Sequence, residues 1–230
     1  MAFDLAPVWI SLKTSLAATA IALVFGVAAA EWRERKRPPF GGLFGGLLDA
    51  LCLLPLILPP TVVGFFLLLL FGRNGPLGRL LLHFGAIVVF SWSATVIAAA
   101  VVSFPLVYIT ARGAFAQIEP GLADAARTLG ASEWRVFRRV TLPLAAPGIF
   151  AGATLAFARA LGEFGATLML AGDIPGRTET LPLAIYFDIA AGQMRQAFGA
   201  VMVVLVVSLA VLFALGIWAR AERRRRIPEK

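Results

Sequence analysis

The sequence is poor in the residues from which soluble enzymes build their sites. Its one cysteine, Cys52, sits in an apolar run, so it offers no disulfide framework and no cysteine-based metal site. Its one histidine, His83, has no second ligand nearby, which argues against imidazole-based metal chemistry. No Gly-x-x-x-x-Gly-Lys-Ser/Thr phosphate loop occurs, and no Ser/His/Asp set supplies an activated nucleophile. Charged residues make up only 15% of the chain, and neither a low-complexity tract nor a close internal repeat is visible.

What is abundant is hydrocarbon. Of 230 residues 60% are hydrophobic, and the mean hydropathy is +0.86, far above a soluble domain. The chain therefore reads as an all-α integral membrane protein forming a single domain over 1–230. A net charge of +8 would suggest nucleic acid in a soluble protein, but no basic and aromatic surface pattern accompanies it. The charge belongs to loops, and nucleic acid is not an expected partner.

Five apolar stretches are long enough for the ~20 residues that a crossing needs. They cover about 8–30, 47–71, 86–110, 144–168 and 198–219. A cleaved signal peptide is the rival reading of the first, because Ala28-Ala29-Ala30 resembles a cleavage site. Against it, Asp4 and a single base, Lys13, precede the end of the run, whereas Arg33, Arg35, Lys36 and Arg37 follow it at once. Those bases, the loop 112–143 and the Arg223–Arg226 run all belong in the cytoplasm by the positive-inside rule. The topology that satisfies all three is five spans, N-terminus outside and C-terminus inside. Pro38-Pro39 and Gly41-Gly42 read as a turn, the basic tail as a contact for anionic lipid, and 181–190 as a re-entrant or interfacial segment.

Two spans carry features that a simple anchor does not need. In the second, Pro59 and Pro60 remove two backbone donors mid-span, with Gly64 just after, so the helix must bend or break there. Such a break survives in a membrane only against protein or a water-filled path, and a packing kink and a pathway role are both open. In the fourth, Arg159 and Glu163 lie four apart on one face. Pairing relieves much of their burial cost, as a structural ion pair or beside a polar path.

The long interruption at 112–143 has its own pattern. Pro120 suits a first helical turn, and Leu122, Ala125, Ala126 and Leu129 recur at i, i+3, i+4 and i+7, with Asp124 and Arg127 off that stripe. Gly130 reads as a left-handed stop, and Ser132 as the cap of a second piece that ends at Leu142-Pro143. Physics alone allows a basic amphipathic hairpin lying on the membrane surface.

The spacing also resembles the cytoplasmic coupling loop of ABC importer permeases. That family has a Glu-Ala-Ala triplet, a glycine four residues on, and an Ile-x-Leu-Pro ending. Asp124-Ala125-Ala126, Gly130 and Val140-Thr141-Leu142-Pro143 occupy those places, with Asp for Glu and Val for Ile. The run Arg159-Ala-Leu-Gly-Glu163-Phe-Gly-Ala-Thr167, the later Ile174-Pro-Gly-Arg-Thr-Glu-Thr180 and the Leu58-Pro59-Pro60 break resemble the molybdate branch of that family, with sulfate and thiosulfate permeases as the near alternative.

The resemblance implies a type I importer permease in a bacterial inner membrane, without an ATPase site. It implies a separate ABC ATPase, in two copies, that uses ATP and magnesium, and no cofactor bound by this chain. It implies a second permease copy and an extracytoplasmic molybdate-binding protein that docks on 72–84 and 172–196. Leu122, Asp124, Ala125, Ala126, Leu129 and Gly130 become ATPase-docking positions. Pro59, Pro60, Gly64, Arg159, Glu163 and Thr167 become candidates for the translocation path or gate, with tungstate as a further cargo. A secondary transporter or channel would need more charges in the membrane for ion coupling. A lipid-binding scaffold would leave the glycine and proline spacing unexplained.

Overall fold

The structure, a computed structural model, describes residues 4–35 and 43–226. The turn expected at Pro38-Pro39 and Gly41-Gly42 lies outside them, as do Lys36 and Arg37. All regular structure among the described residues is helical. In chain order the helices are α1 (Ala6–Arg35), α2 (Leu43–Ile57), α3 (Pro60–Phe71), α4 (Pro76–His83), α5 (Trp92–Ala116), α6 (Pro120–Thr128), α7 (Glu133–Val136), α8 (Leu142–Leu161), α9 (Gly165–Ala171), α10 (Leu181–Ala190) and α11 (Met194–Arg226).

The central helix is α5, against which α1, α8 and α9 pack, with α2 and α3 at its side. Small residues make this possible. Along α1, Ser11, Ser15, Ala18, Ala22, Gly26 and Ala30 form a buried stripe, and a Cβ on Gly26 would lie 2.8 Å from Val107 Cγ1. On α8 the Gly148 and Gly152 pair lets that helix press on Ala114 and Thr110 of α5, since a Cβ on Gly148 would fall 2.6 Å from the Ala114 Cβ. Hydroxyls inside this apolar packing bond backwards along their own helix, as Ser103 does to the Ala99 carbonyl at 2.7 Å and Ser15 to that of Ser11 at 2.7 Å.

The two ends of the bundle are distinct. At one end Trp92 of α5 donates to Thr14 of α1 at 2.9 Å, Lys13 lies 4.9 Å from the Trp92 ring centre, and the Leu181 N–H donates to Ser11 at 2.7 Å. At the other, Arg112 of α5 pairs with Glu34 of α1 at 3.2 Å, and Arg35 reaches Glu133 of α7. The exposed Trp9 and Trp32 on α1 are 23 residues apart, about 35 Å at 1.5 Å per residue, close to the ~30 Å hydrocarbon core between two interfacial belts. The basic end of α1 and the 117–141 loop thus share one end of the bundle.

Among the described residues four helices or helix runs are long and apolar enough to span, and a bent pair makes a fifth. The second span is not one helix over 47–71. It is broken at Leu58-Pro59 and bent there by 112°, because two successive prolines leave the chain without the donors that would continue α2. The third begins at Trp92 rather than near 86, since Gly85 (φ +73°) closes α4 and Phe90 is held at φ +60°. The fourth runs unbroken from Glu133 to Leu161, where a separate second loop helix stopping at Leu142-Pro143 was expected. A π-helical turn over Phe137–Thr141 joins α7 to α8: the Leu142 N–H reaches the Phe137 carbonyl, so the wider turn carries the chain into Pro143 without a break. The same span ends at Leu161, short of the expected 168, and α9 is a separate piece. The last helix, α11, begins at Met194, and the ten-residue α10 before it buries Leu181, Leu183 and Ala184.

Candidate docking loop and translocation site

The α6 loop is built to hold one shape. Pro120 starts the helix in its first turn, and Gly130 at φ +79° ends it. The Gly130 N–H donates to the Arg127 carbonyl at 2.9 Å and the Ala131 N–H to that of Ala126 at 3.1 Å, the paired bonds of a Schellman stop. Ser132 stands at the N-cap position of α7, but its side chain makes no capping bond. The Arg127 guanidinium, off the apolar stripe, bonds Asp124 within α6 at 2.7 Å and Glu133 of α7 at 2.7 Å. Those two carboxylates, Glu133 foremost, raise its pKa, so its charge is secure and the two short helices are clasped at a fixed angle. Arg35 continues the clasp to α1 through the Glu133 carbonyl at 3.3 Å.

Among the described residues little covers the stripe itself. Leu129 is 87% exposed and Leu122 46%, Ala125 is exposed, and Ala126 is half-buried. Asp124 stays at the surface beside them, engaged with Arg127. Leu122 also borders a cavity of about 870 Å³ between the end of α5 and the start of α8, lined by Thr110, Gln117, Pro143 and Pro147.

The second constellation forms where two helix breaks meet. The N-terminus of α3, just after Pro59, packs on the N-terminus of α9, just after Glu163: a Cβ on Gly165 would lie 3.1 Å from both Pro60 Cβ and Thr61 Cγ2. One turn on, a Cβ on Gly64 would lie 2.8 Å from the Ala166 Cα and 2.7 Å from the Met169 Cβ. Pro60 and Gly64 therefore belong to one α3–α9 contact, with Pro59 and Glu163 in the segments just before those helices and Thr167 buried on α9. Arg159, in the last turn of α8, pairs with Glu163 at 2.7 Å. The Glu163 side chain is only 1% exposed and its other oxygen accepts the Ala166 N–H at 2.8 Å, whereas the Arg159 side chain is 28% exposed. The carboxylate is sealed into the fold, and the guanidinium keeps an open side.

Sequence reasoning left two members unassigned. It named Arg127 only as lying off the stripe, although an oppositely charged residue six positions on, Glu133, was a usable signal. It also assigned nothing to Asp49 of α2, which joins Arg33, Arg112 and Tyr108, residues 16 to 63 positions away.

Residues 14–227 match the family described as the binding-protein-dependent transport system inner membrane component. The chain is 44% identical over 209 residues to a putative molybdenum transport system permease protein, YvgM, of Bacillus subtilis, covering 90% of each chain. It is 50% identical over 180 residues to the molybdenum transport system permease protein ModB of Escherichia coli K12, covering 78% of this chain and 77% of that one. The sulfate transport system permease protein CysW of Synechocystis is 36% identical over 189 residues, 82% of this chain and 67% of that one. A solved inward-facing form of the MetNI methionine ABC transporter shares the fold, with a TM-score of 0.72 at 18% identity over 95% of both chains. The multi-pass helical bundle and its exposed loop helix are thus those of a transport permease, and the chain belongs to the inner membrane components of binding-protein-dependent transport systems.

Proposed function

We propose that this chain is the membrane-spanning permease of an ATP-driven importer that takes molybdate, and tungstate of the same shape and charge, from an extracytoplasmic binding protein. The exposed apolar stripe of α6 carries the coupling part of that reading. A helix clasped by Arg127 and ended by a Schellman turn, yet leaving Leu129 at 87% exposure, is a rigid knob awaiting a groove. A separate ATPase is the partner that the family's chemistry requires, because no phosphate loop lies in the chain. Two ATPases and two permease copies would close around one path. ATP and magnesium act on the ATPase, and this chain needs no cofactor.

The relatives supply the cargo: the permeases of Bacillus subtilis and Escherichia coli that carry molybdenum in their names match at 44% and 50%. The Arg159–Glu163 pair suits a tetrahedral dianion, because the buried carboxylate is neutralised while the guanidinium keeps its open side. Passage needs contacts weak enough to release, and the hydroxyl of the exposed Thr61 beside the Pro59 break is a donor of that strength. Uptake of labelled molybdate by membrane vesicles containing permease, ATPase and binding protein tests the whole. Loss of uptake on omission of the ATPase supports the reading, and ATP-independent uptake refutes it.

A further inference from the structure

We propose that Asp49 is the positioning residue through which movement of the α6–α7 loop reaches the broken α2–α3 helix. This rests on the transport reading above. Asp49 lies on α2, nearly three turns before the Pro59 break, and accepts from three side chains on two other helices. Arg112 of α5 approaches it at 2.8 Å, Arg33 of α1 at 3.3 Å, and the Tyr108 hydroxyl of α5 donates to the same carboxylate. All three partners come from the ends of helices that carry the docking loop: α5 leads from Arg112 into α6, and α1 grips Glu133 through Arg35 two residues beyond Arg33. Arg112 also binds Glu34, so the ends of α1 and α5 move as one charged unit around Asp49.

The space around α2 fits a lever. Gly45 leaves room for Arg33, since a Cβ there would fall 2.4 Å from its Nη2 atom. Beyond Asp49, Cys52 and Leu53 pack toward the cluster around Ala30 and Tyr108, and on the neighbouring face a cavity of about 350 Å³ lined by Ile21, Phe25, Leu51, Pro55, Ala100 and Phe104 leaves part of the second half of α2 unsupported by α1 and α5. Its walls are almost wholly apolar, and among the described residues no side-chain hydrogen bond ties them together. The polar hold on α2 is therefore at Asp49, with an open space and a proline break farther along. A displacement of the α1 and α5 ends would swing α2 about this point and reach α9 through α3.

The test uses the whole complex of permease, ATPase and loaded binding protein in liposomes. Asp49→Asn should leave insertion, ATPase association and basal hydrolysis as they were, and lower anion transported per ATP by about tenfold. Tyr108→Phe keeps every charge, removes one donor, and should lower the same ratio by about fivefold, so it carries the test if Asp49→Asn fails to insert. Spin labels at Ile21 and Leu51, on opposite walls of the cavity, should change separation on ATP binding in the wild type and lose that response in either variant. A transport ratio and an ATP response both unchanged in the variants would overturn the inference. Absence of ATP-dependent transport in the wild type would instead overturn the transport reading on which it rests.

Discussion

Gly64 of α3 lies so close to Ala166 of α9 that a single added methyl would sit 2.8 Å from the Ala166 backbone. The two helices flank two separate breaks, at Pro59 and at Gly162–Phe164, and their contact makes those breaks one structure. Neither neighbour can yield cheaply, because one is backbone and the other the Cβ of Met169. Gly64→Val is expected to destabilise the fold by about 1–3 kcal/mol through overpacking. A lower melting temperature of the purified chain in detergent, together with lost uptake, would bear this out, and wild-type values for both would contradict the contact.

The Arg159–Glu163 pair separates two roles experimentally. Arg159→Ala leaves a carboxylate with 1% exposure and no countercharge, which should cost about 3–5 kcal/mol. Arg159→Met combined with Glu163→Gln removes both charges at similar volume and should recover most of that stability. Uptake is expected to stay low in the double variant, since the half-open guanidinium is gone. Full recovery of uptake together with stability would reduce the pair to a structural bridge.

Leu129 is the most exposed member of the α6 stripe, and its exposure serves nothing inside the chain. Leu129→Asp should therefore leave the melting temperature unchanged while weakening ATPase association by about thirtyfold, the loss of one anchor worth about 2 kcal/mol. Co-purification of the ATPase measures this. Undiminished association, with the Leu122→Asp variant equally silent, would move the docking site away from α6.

Between α9 and α10, burial raises the pKa of Asp173 above its ordinary 3.8, with Asp188 adding to the effect. Burial likewise raises Glu179 above 4.5, helped by Asp173, Asp4 and Asp188. Folded, each carboxyl holds its proton to a higher pH than it does unfolded. Between the ordinary and the raised value the folded chain binds more protons, so stability falls as pH rises through that window. The melting temperature should therefore decline as pH rises above the ordinary carboxylate range, and Asp173→Asn with Glu179→Gln should flatten that decline. An equally steep decline in the double variant would assign it to other groups.

The parts legible in the sequence were those set by local chemistry. Pro120 and Gly130 delimit α6 because proline starts a helix and a left-handed glycine stops one within a few residues. Pro59-Pro60 announced a break, since a missing donor acts on its own turn. The 112° angle at that break and its partner were not legible: Gly64 meets residues about a hundred positions later, and nothing in either segment names the other. Residues 86–90 read as helix because Ala, Ile, Val and Phe have the composition of a span, yet the fold holds Phe90 at φ +60° with its N–H on the Leu170 carbonyl at 3.2 Å. The π turn over Phe137–Thr141 was equally hidden, because two prolines in the 141–147 stretch look like a stop until the wider turn lets the helix continue.

The most direct measurement is ATP hydrolysis by permease and ATPase together in liposomes, with the binding protein loaded in turn with molybdate, tungstate or sulfate. The account expects stimulation by molybdate and tungstate and none by sulfate. Stimulation by sulfate alone would keep the coupling and replace the cargo, and hydrolysis indifferent to every loaded anion would contradict an import permease coupled through α6.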